Sequence, residues 1–443
     1  MQKESITRIN RDYYLNDLIS KQNNGLIKVI TGLRRCGKSY LLFSMYRDYL
    51  IDSGVPAGNI ITFAFDTDED IDLLDGYYPD EETRIWDKNK KTFVVNSKKF
   101  RAFIKDRTDA DNQYYILLDE IQILDNFVGT LNGFLRHANF DTYVTGSNSK
   151  MLSKDIITEF RGRGDQISMT SLSFKEFFDA VDMDFEDAYE TYSYYGGMPY
   201  LINLKSDNEK REYLKRLFAE VYIKDIVDRN NISDEDSFTR LMEIVASSIG
   251  SLTNPTKLEK TFKSNQVSYS HNTIKKHLDY VRDAFLLDEA LRYDVKGKSY
   301  IGSNSKLYFK DIGLRNALLN FRQQEPTHIM ENIIYNELVR RGFNVDVGTV
   351  EIIEKNDKGN SVRKQVEVDF VCSTALNKYY IQSAFSIAAS EKMVQETRSL
   401  KCIPDSFKKV IITKDRTKPW RTDEGILIIS LKDFLLDIGS LDL

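Results

Sequence analysis

The sequence predicts an α/β protein with a mostly parallel sheet, and three stretches carry that prediction. Leu26–Thr31 is a short β-branched run that leads into Gly32-Leu-Arg-Arg-Cys-Gly-Lys-Ser39 and then into helical periodicity over Tyr40–Ile51. Tyr114–Leu118 is a second apolar run, ending in Asp119 and Glu120, and Thr142–Thr145 is a third, ending in Gly146-Ser147-Asn148-Ser149. Apolar strands without alternation, separated by helical segments, describe a sheet covered on both faces.

The bulk properties set limits. With 443 residues the chain is long enough for two to four domains, because one core rarely grows past about 250–300 residues. A net charge of -5 gives no reason to expect the whole surface to bind nucleic acid, so any such binding must be local. Cys36, Cys372 and Cys402 form no C-x-x-C pair, which fits a reducing compartment and argues against disulfides or a zinc ribbon. His137, His271, His277 and His328 are too scattered to make a ligand cluster. No signal peptide is read at the start and no apolar run approaches the roughly 20 residues of a membrane span, so a cytoplasmic location without a membrane partner is expected.

In chain order, residues 1–25 give a polar lead-in and a short amphipathic helix around Tyr13–Ile19, closed by Asn23-Asn24-Gly25. The Gly32–Ser39 motif then has strand, loop and helix in the order of a phosphate cradle. Its two glycines let successive N–H groups turn inward, the helix beginning near Lys38 aims its positive end at the same point, and Lys38 adds a cation. This pattern suits the triphosphate tail of a nucleotide, with Gly32, Leu33, Arg34, Arg35, Cys36, Gly37, Lys38, Ser39 and Tyr40 as the binding set and the Ser39 hydroxyl placed for Mg²⁺. Asn59–Phe65 reads as a second strand running into Asp66, Asp68, Glu69 and Asp70; these are metal ligands or, on the simpler reading, a solvated acidic loop. Residues 75–95 read as an irregular, charged insertion.

Asp119 and Glu120 emerge at a strand end about 80 residues after the cradle, the second half of the same site. Asp119 is expected to hold Mg²⁺ and Glu120 to polarise the attacking water as a general base. Ser147 or Asn148 either senses the γ-phosphate or forms a Gly-Ser-Asn turn. Arg163, in Arg161-Gly162-Arg163-Gly164 before a fourth strand at Gln166–Met169, either reaches a neighbouring subunit's phosphate or is solvated.

Taken with Ser171-Leu-Ser-Phe-Lys-Glu-Phe177, Tyr195-Gly-Gly-Met-Pro199, Lys310-Asp-Ile-Gly-Leu-Arg315 and Glu331-Asn-Ile-Ile-Tyr-Asn-Glu-Leu338, these motifs resemble the AAA-type P-loop ATPases of bacteria and archaea that carry an uncharacterised C-terminal region. The resemblance implies a P-loop ATPase domain over 1–172, a helical lid over 173–235, a winged-helix-like domain over 236–310 and an α/β restriction-endonuclease-like domain over 311–443. It also implies a homo-oligomer.

The residues support this division. Phe174, Phe177, Phe178, Tyr192, Tyr194 and Tyr195 are spaced as the core of a helical lid, broken at Gly196-Gly197-Met198-Pro199. Residues 254–310 hold eleven Lys/Arg against six Asp/Glu. In this stretch Ser270 caps a helix with Ile274, Leu278, Val281 and Phe285 on one face, a shorter helix spans Lys257–Phe262, and Tyr293–Tyr300 reads as a basic hairpin. Helix, turn, helix and wing can dock double-stranded DNA or a protein. In the last domain Glu331, Glu337, Glu367 and Asp369 follow the order of nuclease carboxylates, but Gln382-Ser383-Ala384 stands where Glu-x-Lys is expected, so hydrolysis there is not expected. The reading is an ATPase that couples nucleotide state to a DNA- or protein-binding C-terminal half. Its alternatives are a nucleotide switch or scaffold in signalling or defence with little turnover, and a metal-dependent DNA nuclease.

Overall fold

The computed structural model describes residues 8–88, 92–146, 162–264, 267, 269–355 and 361–443. The chain divides into two compact units, Arg8–Ser171 with Asp283–Phe285, and Leu172–Arg282 with Leu286–Leu443.

The first unit contains β1 (Ile27–Gly32), β2 (Ile60–Ala64), β3 (Arg84–Asp87), β4 (Thr92–Val95), β5 (Tyr114–Asp119), β6 (Phe140–Thr145) and β7 (Gly164–Met169). Five of them form one sheet in the order β2-β5-β6-β1-β7, every neighbouring pair parallel. All residues of β1 and β5 are buried, as unalternated apolar runs require. A continuous helix from Lys38 to Asp52 follows β1, with a π-helical stretch at Leu41–Tyr46. On one side of the sheet Phe63, Phe65, Phe100 and Phe103 interlock, which seats helix Ser97–Asp106. The stretch 75–95, read as irregular, instead includes the antiparallel ribbon β3–β4, on which exposed Trp86 and Phe93 meet edge to face with ring centroids 5.1 Å apart. Its charged composition hid a cross-strand aromatic pair.

The second unit opens with helices Phe174–Ala180 and Phe185–Tyr195, the first closed by a capping box between Ser173 and Glu176. Of the aromatic residues whose spacing predicts a core, Phe174, Phe177, Tyr192 and Tyr195 are buried and Phe178 and Tyr194 half-buried, while Phe185 and Tyr189, outside that set, join Phe174 in the same cluster. Two of the motifs meet here. Gly197 N donates to Asp311 Oδ2 at 2.9 Å, and a Cβ on Gly313 would lie 1.8 Å from Tyr195 O, so the backbones approach as closely as only glycine permits. Arg315, fully buried, is satisfied by Ala246 O, Gln323 O and Glu325.

Helices Pro255–Ser264 and His271–Asp283 lie where the sequence puts them, with Ile274, Leu278 and Val281 buried. Beyond them run β8 (Leu287–Asp294), β9 (Ser299–Phe309), β10 (Asn344–Lys355), β11 (Ser361–Ser373), β12 (Lys378–Ala384), β13 (Lys408–Thr413), β14 (Trp420–Arg421) and β15 (Leu427–Ser430). They form one mixed sheet in the order β14-β15-β13-β12-β11-β10-β8-β9. The hairpin read as a basic wing is therefore the edge of this sheet, since β8 pairs parallel with β10 through Arg292 and Val347. Helices Pro326–Arg340 and Ser390–Lys401 pack on the sheet.

Candidate nucleotide site

β1 ends at Gly32 with φ 139°, where a Cβ would lie 1.8 Å from Met169 O of the adjacent β7. Only glycine can turn the chain there. Arg35 and Gly37 also adopt positive φ, 58° and 101°, and the loop closes into the helix that starts at Lys38. Lys38 is 5 % exposed, and its Nζ donates to Gly32 O at 3.2 Å and Leu33 O at 2.9 Å, inside the curl of the loop. The loop is itself anchored from outside. Arg11, at the entry to helix Asp12–Ser20, donates to Cys36 O at 2.9 Å and to Thr170 O at 2.9 Å, tying the cradle to the residue that follows β7.

β5 delivers Asp119 and Glu120 one strand beyond β6. Asp119 is buried and accepts a hydrogen bond from the Thr145 hydroxyl, with the Ser39 hydroxyl close enough to favour its charged form. The Thr145 hydroxyl at the end of β6 also accepts from Glu120 N at 3.1 Å, so one side chain fixes both acids. Glu120 sits in a left-handed conformation, φ 49°, with its carboxylate accepting from Gln122 Nε2. Burial raises the Asp119 carboxyl above the usual range, opposed by Ser39 and Thr145 and reinforced by Glu120 and Asp66. Asp66 at the end of β2 is raised by burial and next by Glu120. Asp66, Asp68 and Glu69 are exposed, in keeping with a solvated acidic loop; Asp66 lies near enough to Glu120 to feel its charge, Asp70 accepts from Ala64 N at 2.6 Å and Asp68 pairs with Arg84.

The structure therefore brings Gly32, Gly37, Lys38, Ser39, Asp119 and Glu120 to the C-terminal ends of β1 and β5, with Leu33, Arg34, Arg35, Cys36 and Tyr40 on the same loop and helix start. Ser147 and Asn148 lie outside the described residues. Arg163 is exposed and precedes the opposite end of β7: its carbonyl accepts from Ile27 N, while Gly32 pairs with Met169. Five steps of a parallel strand put about 16 Å between those ends. Thr145 and Arg11 were missed from the sequence. A small polar residue closing a buried strand beside an Asp-Glu end was the one signal for Thr145, and none pointed to Arg11.

The donor set fits ATP and Mg²⁺. The glycine turns at Gly32 and Gly37 leave the loop backbone open to phosphate, Lys38 supplies a buried cation, and Ser39 and Asp119 form an oxygen pair for a hard metal inside a group of carboxylates that repel one another.

Four of the eleven cations of residues 254–310 are paired with acids within the unit. Arg282 pairs with Asp279 and Glu289, Lys263 with Glu259 at 3.0 Å, Lys310 with Asp288 at 2.9 Å, and Lys306 is buried among acids. On helix His271–Asp283 Asn272, Lys275 and Lys276 are exposed, and Lys276 lies over the Tyr280 ring. Among the described residues no helix is long and apolar enough to cross a membrane.

Comparison with known proteins adds the following. A model described as AAA domain matches residues 24–178, and one described as Domain of unknown function (DUF8612) matches residues 186–325. The chain is 32% identical over 434 residues to an uncharacterized protein of Haemophilus influenzae, covering 97% of this chain and 98% of that protein. It is 27% identical over 441 residues to an uncharacterized protein of Methanocaldococcus jannaschii, covering 96% and 88%. Among solved structures, a Walker-type ATPase of Pyrococcus abyssi aligns at 12% identity with a TM-score of 0.45, over 70% of this chain and 96% of that one.

Proposed function

The chain belongs to one family with the Haemophilus influenzae protein and carries an AAA-type P-loop ATPase domain over residues 24–178, and from that premise we propose that it binds and hydrolyses ATP with Mg²⁺ and uses nucleotide state to control its C-terminal half. The observation that carries the reading is the Thr145 hydroxyl, which donates to Asp119 and accepts from Glu120 N, holding the two acids at the strand ends beside the phosphate loop and Ser39.

The backbone of residues 33–39 and Lys38 hold the phosphates, and Ser39 and Asp119 hold the metal, which supplies charge neutralisation when bound. Glu120 takes a proton from the attacking water, and Thr145 fixes its position through the Glu120 N–H. Ser147 or Asn148 serves as the γ-phosphate sensor. Arg163 could serve only a neighbouring subunit's site in a homo-oligomer, because it stands at the far end of β7.

For the C-terminal half we propose a binding module for double-stranded DNA or a protein. Exposed Lys275 and Lys276 support the first, and the internal pairing of Arg282, Lys306 and Lys310 the second. A nucleotide switch with slow turnover is the second functional reading, favoured by the hydrogen bond that engages the Glu120 carboxylate with Gln122. Steady-state hydrolysis with and without double-stranded DNA at two salt concentrations tests the coupling. Turnover that rises with DNA and weakens with salt supports a DNA-coupled ATPase; unchanged turnover assigns the module to a protein partner.

A further inference from the structure

The C-terminal unit buries an ion cluster that the nucleotide site does not use. The Lys306 side chain on β9 is 3 % exposed, and its Nζ lies 2.8 Å from Glu331 Oε1, 2.6 Å from Glu367 Oε1 and 3.8 Å from Asp369 Oδ1. These acids arrive from helix Pro326–Arg340 and from β11, so one ammonium joins a helix and two strands that are not neighbours in the sheet. Tyr308 OH donates to the same Glu331 oxygen at 2.6 Å, and Ser383 N donates to Asp369 Oδ2 at 2.8 Å. Gln382 Oε1 accepts from Asp369 N at 3.4 Å, next to Ser383 and Ala384.

We propose that Lys306 is a built-in cation that occupies the carboxylate centre of this domain in place of a divalent metal, which makes the centre a structural ion cluster and closes it to Mg²⁺ and Mn²⁺.

The oxygens decide the matter. A hard divalent cation needs several carboxylate or carbonyl oxygens at about 2.0–2.6 Å. Lys306 already draws on one oxygen from each of Glu331, Glu367 and Asp369, while Tyr308 and the Ser383 N–H take further acceptor capacity. A metal would have to enter beside an ammonium it repels. Glu331 and Asp369 are buried side by side, with half-buried Glu367 beside them, and a buried charge left alone is far costlier than a paired one. Among the described residues, all ion pairs of Glu331, Glu367 and Asp369 go to Lys306. A tethered ammonium provides that partner whatever the metal supply.

The test uses the full chain carrying Asp119→Asn, so that the nucleotide site contributes no metal binding. Thermal melting is followed in Mn²⁺ and in EDTA for this protein, for its Lys306→Ala derivative, and for that derivative with Asp369→Asn added. The expected result is a melting temperature indifferent to Mn²⁺ while Lys306 is present, lowered by several degrees in Lys306→Ala, and partly restored there by Mn²⁺ in a manner that Asp369→Asn abolishes. A lowered melting temperature that Mn²⁺ does not restore would overturn the claim that the ammonium stands in a metal's position. If Lys306→Ala yields no folded protein, Mn²⁺ binding to the Lys306-containing chain decides: none is expected, and bound Mn²⁺ that disappears with Asp369→Asn overturns the proposal. Mn²⁺-dependent nicking of plasmid DNA that Asp369→Asn removes would do the same.

Discussion

Replacing Thr145 by Val removes one hydroxyl and almost no volume, which makes it a sharp probe of the nucleotide site. Thr145 is fully buried, donates to Asp119 and accepts from Glu120 N at 3.1 Å. A hydrogen bond to a charged group contributes about 1.5–3 kcal/mol, and roughly 1.36 kcal/mol corresponds to a tenfold change in rate. The variant is therefore expected to hydrolyse ATP about 10- to 150-fold more slowly, with kcat falling more than KM rises, because the phosphate loop is untouched. Thr145 also opposes the upward push of burial on the Asp119 carboxyl, so its loss raises that carboxyl further. More proton is then bound at any acidic pH, and the acid limb of the pH–rate profile moves to higher pH. The assay is steady-state hydrolysis across pH, with Thr145→Ser as the variant that keeps the hydroxyl and should recover most of the rate. A Val variant within about twofold of wild type, with an unmoved acid limb, would refute the idea that this hydroxyl organises the acids.

Other consequences are as specific. Arg11→Gln should weaken nucleotide binding by roughly tenfold, read with a fluorescent nucleotide, because the clamp on Cys36 O and Thr170 O loosens. Gly32→Ala should abolish nucleotide binding and lower the melting temperature steeply, since its Cβ would collide with Met169 O. Asp141→Asn leaves Lys28 buried without its anionic partner and should cost about 3–5 kcal/mol in denaturant unfolding. Burial keeps His277 neutral and lowers its pKa. The unfolded chain therefore takes up the proton first, so the His277 contribution is complete above pH ~6.5 and is lost as pH falls below that value; the loss should be absent in His277→Phe.

What the sequence revealed is what lies close together along the chain. Gly32–Ser39 and the Asp119-Glu120 strand end are contiguous, and their backbone chemistry can be read locally. The apolar face of helix His271–Asp283 and the aromatic core of helices Phe174–Ala180 and Phe185–Tyr195 follow from periodicity in the same way. Contacts made at long range were not legible. Arg11 meets Cys36 and Thr170 across 25 and 159 residues, and Lys306 meets Glu331 across 25. The hairpin after helix His271–Asp283 has the local signature of a wing, yet β10, some 50 residues later, captures its first strand into a sheet. Pairing partners decide such cases, and they leave no mark in the hairpin itself.

The role of Glu120 is tested most directly by ATP turnover of the Glu120→Gln protein beside its ATP affinity. Mg²⁺-dependent hydrolysis by the wild type, its near-complete loss in the variant, and ATP binding retained through Lys38 and Ser39 are expected. Turnover that survives Glu120→Gln at the wild-type rate, or a wild type that binds ATP and never hydrolyses it, would contradict that role.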